Sequence, residues 1–238
     1  MPSNTYQANL SFLLGSKLSS DFGQMMWDVE LGWLFAQMYN IDDNPIVVEL
    51  GSYQGTSSVI LASGLKAFKG GLGKLYCIDP WEDVGNIKCS YYNEWLANIT
   101  KFDLMEIVIA YKEKGADASR RFADKSIDFL FIDSNKIYQD KLDELNAYLP
   151  KMKNNGIMCG HDWDGYEPVQ AAISKFVFDN KFNIVFPVGN IWWILHRNHK
   201  MPELPEDEKY EVYMCPDRLT AKVRKTGTEE YIHTVDLR

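Results

Sequence analysis

The segment Glu49-Leu50-Gly51-Ser52-Tyr53-Gln54-Gly55-Thr56-Ser57 follows a short β-branched run and holds two glycines, Gly51 and Gly55. Glycines at a strand-to-helix turn permit a tight bend and let a ligand approach the backbone closely. The pattern is E-x-G-x-x-x-G and not the dinucleotide G-x-G-x-x-G, so it is not a pyrophosphate cradle. Glu49 could face a ligand ammonium, directly or through water, with Ser52, Tyr53 and Ser57 beside it. The next apolar run ends in Asp79-Pro80-Trp81. A carboxylate there can accept both hydroxyls of a ribose, and Trp81 could pack on the same ligand or on the domain surface. Two later runs end in Asp133-Ser134-Asn135-Lys136 and His161-Asp162. Asp133, His161 and Asp162 could together hold one divalent cation, which would bind a substrate hydroxyl and lower its pKa. Oxygen-rich sites favour magnesium or manganese, and a histidine leaves room for others. Without a metal, His161 could be a general base oriented by Asp162 or Asp133. The plainest alternative is that His161-Asp162 merely caps a strand.

These groups act together only if the chain brings them to one edge, and the order of elements does so. A helix is predicted from Ser20-Asp21-Phe22-Gly23-Gln24, with Asp21 and Gln24 at capping-box spacing, through Met25, Trp27, Val29, Leu31, Trp33 and Leu34 to Met38. Strands are then expected at 46–50, 74–79, 106–110, 127–133 and 156–160. Helices are expected between and after them at 56–65, 91–100, 116–122, 138–148 and 169–178. The run 127–133 is almost continuously apolar, as in a strand buried on both faces of a parallel sheet. Strands at 184–186 and 192–195 are too close for a helical crossover, so they form an antiparallel hairpin. The alternation predicts a doubly wound, Rossmann-like α/β sheet. Ligands of such sheets bind at the carboxyl ends of the strands, where Gly51, Asp79, Asp133 and His161 all fall.

The expected organisation is an N-terminal helical segment at 1–45, a ligand-binding α/β domain at 46–197 and a C-terminal extension at 198–238. In the last, Leu219, Ala221 and Val223 alternate with polar residues, as do Tyr231, His233 and Val235 across Lys225-Thr226-Gly227-Thr228. That pattern reads as a small β appendage: a partly ordered tail, a lid or a dimerisation arm. A homodimer is one expectation it leaves open.

The chain has 238 residues, enough for a substantial core, and a net charge of −8 with no long basic run. That balance argues against a nucleic-acid partner. Cys77, Cys89, Cys159 and Cys215 form no C-x-x-C pair, which excludes a zinc framework of that kind. There is no basic-then-apolar start and no stretch near the roughly 18 apolar residues of a membrane span. A cytoplasmic protein without a membrane partner is the resulting expectation.

Glu49 to Gly55 together with Asp79 resembles the class I S-adenosylmethionine-dependent methyltransferases. The stretches Phe122 to Asp133 and Tyr148 to Trp163 narrow the likeness to small-molecule O-methyltransferases of the macrocin sugar type, with catechol O-methyltransferase more distant. The resemblance covers roughly residues 47–197. It implies a seven-stranded sheet with an antiparallel last strand, S-adenosylmethionine as methyl donor and S-adenosylhomocysteine as product. It also implies that the loop Gly115-Ala116-Asp117 lies against the adenine, Ala116 offering a backbone amide.

In the metal-dependent catechol-type enzymes an aspartate is followed three residues on by a lysine, and an acidic-polar pair follows the fifth strand. By that likeness Asp133 and Asp162 are candidate ligands of Mg2+ or another divalent cation, and Lys136 is the candidate general base. The chain departs from the macrocin type in having Lys136 where histidine is common and His161 where an acidic residue is common. The implied reaction is methylation of an oxygen on a small hydroxylated acceptor: a sugar, a glycan precursor or a natural-product scaffold. Trp81, Tyr91, Tyr92, Trp95, Trp163 and Tyr166 are candidate walls of its pocket, or ordinary packing. A cephalosporin hydroxylase-like enzyme and a non-catalytic S-adenosylmethionine-binding or assembly protein are the rival readings.

Overall fold

A computed structural model describes residues 25–82, 91–195, 210–214, 220–225 and 231–236 of the chain. Its elements run α1 (Asp28–Asn40), β1 (Ile46–Leu50), α2 (Thr56–Lys69), β2 (Lys74–Ile78), α3 (Tyr91–Lys101), β3 (Val108–Tyr111), the short α4 (Gly115–Ala118), β4 (Ile127–Ile132), α5 (Tyr138–Tyr148), β5 (Met152–Gly160), α6 (Glu167–Asn180), β6 (Asn183–Val185) and β7 (Trp192–Leu195). Strands β1 to β7 form one sheet in the order β3-β2-β1-β4-β5-β7-β6. The first five strands pair in parallel. β7 runs antiparallel to both β5 and β6, which is the expected hairpin. The chain order reverses between β1 and β4, and that reversal opens the crevice that open α/β sheets use for ligands.

The apolar character of β1 and β4 follows from their central position, since each is covered on both faces. Val47, Phe129, Phe131, Cys159 and Trp193 point into a core shared with α1, α2 and α3. Val48, Leu50, Leu130, Ile132, Met158 and Trp192 point into a second core with α5 and α6. Adjacent residues go to opposite sides, as the two-residue strand period requires. Both Trp192 and Trp193 are therefore core. Cys77 and Cys159 are buried free thiols, and burial pushes both well above the usual thiol range.

Several boundaries differ from the sequence expectation. The proposed start at Asp21 and Gln24 lies outside the described residues, and α1 itself begins at Asp28. Met25 and Met26 sit in a bend and Trp27 is the extended N-cap. The side chain that caps the helix is Glu30, which accepts the Trp27 backbone N–H at 2.7 Å. β3 starts at Val108, where pairing with Leu75 of β2 begins, because the residues before it are held in the turn closed on the Leu104 carbonyl. β5 starts at Met152, four residues early, with Met152 opposite Ile127 and a register shift before Phe129. Lys153 anchors that polar start through Asp128 at 2.6 Å.

Three further strands, β8 (Tyr210–Met214), β9 (Thr220–Lys225) and β10 (Tyr231–Asp236), make a separate antiparallel sheet in the order β10-β9-β8. His233 lies opposite Val223 and Val235 opposite Ala221, within the small β appendage expected from the alternation. β8 carried no such signal in the sequence. Among the described residues, no helix is long and apolar enough to cross a membrane.

Candidate active site

A cavity of about 760 Å3 opens at the carboxyl ends of β1, β2 and β4, within the usual size of a small-molecule site. Gly51, Ser52, Tyr53, Gly55 and Ser57 line one side. Asp79, Ala116, Asp133 and Lys136 line it as well. Most of the expected cofactor residues therefore face a single chamber.

The turn after β1 needs its glycine. Gly51 has φ +88, and a Cβ there would stand 2.2 Å from the Asp133 carbonyl oxygen. Its N–H donates to the Ile78 carbonyl at 2.8 Å, so the turn closes directly against the neighbouring strands. Glu49 lies beneath it. The carboxylate is fully buried and takes no part in the cavity wall. Its Oε2 accepts from Ser52 Oγ at 2.6 Å and from Ser58 Oγ, while Oε1 is buried without a hydrogen-bond partner. Burial holds the Glu49 carboxyl above its ordinary range. Glu49 is thus placed to brace the turn from below rather than to touch a ligand ammonium.

Asp79 accepts the Tyr53 N–H at 3.0 Å through Oδ2 and the Trp81 N–H at 2.7 Å through Oδ1. A carboxylate offers about four lone-pair positions, so acceptor capacity remains for a ribose diol. Trp81 itself turns away from the cavity. It is left-handed at φ 43, gives its indole N–H to the Tyr53 carbonyl at 2.8 Å, and packs against Tyr92 and Trp95 at 5.1 and 5.3 Å. Its role is packing of the β2–α3 crossover, and Trp95 is core beside it. Tyr53 and Tyr91, with ring centroids 4.2 Å apart, stand half exposed.

At the ends of β4 and β5 the expected reacting groups meet. Candidate donor atoms of Asp133, His161 and Asp162 all lie within 4.8 Å of one another. Lys136 pairs with Asp162 and stands 3.7 Å from Asp133 Oδ1. His161 Nδ1 is 3.4 Å from Asp162 Oδ1 and 4.0 Å from Asp133 Oδ1. Asp162 adopts φ 66, a strained left-handed conformation that turns its side chain back onto this cluster.

The charges are strongly coupled. Burial pushes the Asp133 carboxyl up to about 7; His161 opposes that rise and Asp162 adds to it. Burial pulls His161 down, but Asp162, Glu30 and Asp133 outweigh it and raise the imidazole to about 10. Burial likewise works against the Lys136 ammonium, and Asp133 and Asp162 together hold it above its usual value. Asp162 stays well below the carboxylate range: His161 and Lys136 overcome the effect of its burial.

His161 is thus an imidazolium at neutral pH in this arrangement, not a free base. His161 and Asp162 do not line the cavity, whereas Asp133 and Lys136 do. The chemistry of the donor set, two carboxylates and an imidazole in one small cluster, fits a divalent cation. Lys136 supplies the positive charge between the two aspartates in this structure.

Sequence reasoning missed two features. Glu30, from α1, meets His161 Nε2 at 3.1 Å; nothing in its sequence surroundings sets it apart from an ordinary first-turn glutamate. Lys141 and Glu144 form a buried ion pair, 2% and 5% exposed, with Ser134 bonded to both. Their spacing in α5 is that of any exposed helical pair, and Glu144 lines the cavity beside Gly115.

A family described as "Methyltransferase domain" matches residues 48–163. No curated protein matches the chain. Among solved structures, a SAM-dependent O-methyltransferase from Thermotoga maritima superposes with TM-score 0.53 at 16% identity, over 94% of this chain and 68% of that one. The O-methyltransferase NovP gives 0.58 at 13% identity, over 81% and 98%. CalS11, a TDP-rhamnose 3'-O-methyltransferase, gives 0.52 at 15% identity, over 68% and 75%. At these identities the structural likeness speaks to the fold, while the matched domain takes in the glycine turn, Asp79, Asp133 and His161-Asp162. Residues 48–163 thus carry a methyltransferase domain, on a fold shared with solved SAM-dependent O-methyltransferases.

Proposed function

We propose that the enzyme methylates an oxygen of a small, uncharged hydroxylated acceptor, with Asp133 and Lys136 handling the proton. The observation that carries this is that both residues line the chamber shared with Gly51 and Asp79. The cofactor cradle and a proton-handling pair therefore open into one space. The sulfonium methyl passes to the hydroxyl oxygen, S-adenosylhomocysteine leaves, and the hydroxyl proton goes to the Asp133 carboxylate. A buried carboxyl raised to about 7 is well matched to accepting a proton near neutral pH. The Lys136 ammonium, 3.7 Å away, favours negative charge developing on the acceptor oxygen. Positioning supplies much of the rest.

A divalent cation such as Mg2+ fits Asp133, Asp162 and His161, and when bound would lower the pKa of the acceptor hydroxyl. An uncharged acceptor follows from the lining. Asp117, Asp140, Asp143 and Glu144 add carboxylates to Asp79 and Asp133, against Lys114 and Lys136. Such a chamber attracts a sulfonium and repels a phosphate-rich acceptor such as RNA or a nucleotide sugar.

The test begins with calorimetric binding of S-adenosylhomocysteine in EDTA and then with added magnesium. Methyl transfer from labelled S-adenosylmethionine to a panel of sugars, catechols and phenolic scaffolds follows. Asp133→Asn and Lys136→Met are expected to cut turnover at least 100-fold while S-adenosylhomocysteine affinity stays within about threefold. Undiminished turnover in both variants removes the proton assignment. Transfer to phosphorylated acceptors alone overturns the uncharged-acceptor reading.

A further inference from the structure

Helix α1 precedes the matched domain, yet one of its side chains reaches the reacting cluster. Glu30 is 1% exposed, and its carboxylate is enclosed by three partners. Oε2 accepts the Trp27 N–H at 2.7 Å and faces His161 Nε2 at 3.1 Å. Oε1 accepts the Asn190 N–H at 2.7 Å. The enclosure is tight: Gly189 stands at φ +50, and a Cβ on it would fall 2.2 Å from Glu30 Oε1. Asn190 in turn holds the segment just beyond His161. Its side-chain oxygen accepts the Asp164 N–H at 2.9 Å, and its carbonyl accepts the Trp163 N–H at 3.3 Å. Glu30 therefore grips the His161-Asp162 corner through the imidazole and through Asn190.

A carboxylate has no proton to give. With Glu30 already accepting two backbone N–H groups, His161 Nε2 must be the donor in their contact. The other ring nitrogen, Nδ1, is then the one turned toward Asp162 and Asp133. We propose that Glu30 is a positioning residue of the active site: it fixes His161 as an Nε2–H donor and so aims Nδ1 at the Asp133–Asp162 cluster. A carboxylate that locks an imidazole from behind is the arrangement that makes a histidine a dependable ligand or proton partner in front. This makes α1 a working part of the site, although it lies outside the residues that match the methyltransferase domain. The assignment rests on the proposed role of the Asp133 cluster for its purpose, but its geometry can be tested without any acceptor.

The experiment is 15N–1H NMR of the full chain labelled at histidine, with S-adenosylhomocysteine present and His161→Asn used to identify the ring signals. In the wild type, Nε2 of His161 is expected to be protonated, with its proton visible as a slowly exchanging downfield signal. Glu30→Met removes the acceptor of the Nε2–H and should move that signal upfield and speed its exchange until it is lost, while S-adenosylhomocysteine affinity stays within twofold. Glu30→Gln, which keeps an acceptor oxygen, should restore part of the signal. A wild-type ring with bare Nε2, or a Glu30→Met spectrum identical to wild type at His161, overturns the assignment. If Glu30→Met does not fold, Glu30→Gln decides: a His161 Nε2–H signal with unchanged shift and exchange rate overturns the assignment. Loss of the methyltransferase reading would show separately, as absent S-adenosylhomocysteine binding with the His161 signals unchanged.

Discussion

The backbone of Gly51 and the carbonyl oxygen of Asp133 are so close that a Cβ on Gly51 would lie 2.2 Å from that oxygen. The turn proposed to cradle the cofactor and the residue proposed to handle the proton are thus two sides of one contact between β1 and β4. Gly51→Ala must both adopt φ +88 and push β4 away. It is expected to cost about 2–3 kcal/mol of stability and to weaken S-adenosylhomocysteine binding at least tenfold. Denaturant unfolding and calorimetry measure the two effects. An alanine variant with wild-type affinity would separate the cradle from Asp133.

How much of this was readable beforehand depends on whether the signal is local. The strand ends carry local signals: a β-branched run followed by Gly51, or a short apolar run followed by Asp79, marks a carboxyl edge, and the alternation of elements dictates that such edges align. The 192–195 hairpin was equally legible, because six intervening residues leave no room for a helix. Glu30, Lys141 and Glu144 were not. Their sequence neighbourhoods are those of solvated helical residues, and only tertiary contact with His161 and Ser134 distinguishes them. Glu49 and Trp81 show the converse. Both sit where the sequence predicts ligand contacts, yet burial places Glu49 beneath the turn and Trp81, with its left-handed backbone, packs into the core.

Asp79 has two tasks that substitution can pull apart. It anchors Tyr53 and Trp81 through their backbone N–H groups, and it offers spare lone pairs to the cavity. Asp79→Asn sets an amide N–H2 against one of those donors, at an expected cost of about 1–2 kcal/mol. Affinity for S-adenosylhomocysteine should fall about 10- to 100-fold, well beyond what that loss of stability produces at a temperature where the variant is folded. Unaltered affinity in a folded variant would leave Asp79 as a turn anchor only.

The Lys141–Glu144 pair is buried to 2% and 5% and spans 3.5 Å. Burial lowers the Lys141 ammonium and raises the Glu144 carboxyl from their usual ranges, so each depends on the other and on Ser134. Lys141→Met alone strands a buried carboxylate and is expected to lose about 3–5 kcal/mol. Lys141→Met with Glu144→Leu removes both charges, and should recover most of that loss. The comparison is a double-mutant cycle by urea unfolding. Additive losses would mean that the two side chains are not coupled.

Glu49 gives the protein a dependence on pH whose sign can be worked out. Its folded carboxyl lies above the ordinary value of 4.5 because the group is buried. Between the unfolded and folded values the native state holds a proton that the unfolded chain has released. Stability therefore falls as pH rises through that interval. The contribution is fully present below the unfolded value and lost as pH passes the folded one. Glu49→Gln carries no titrating proton there, so it should lack this component of the slope. With the ligand-free protein, the stability of wild type relative to Glu49→Gln should decline as pH increases from about 4.5 toward neutrality. Thermal unfolding of both proteins across that range measures the difference. A gap that stays constant with pH would mean that Glu49 titrates alike in the folded and unfolded chain, and that the unpartnered Oε1 beneath the glycine turn reaches solvent or a partner in solution.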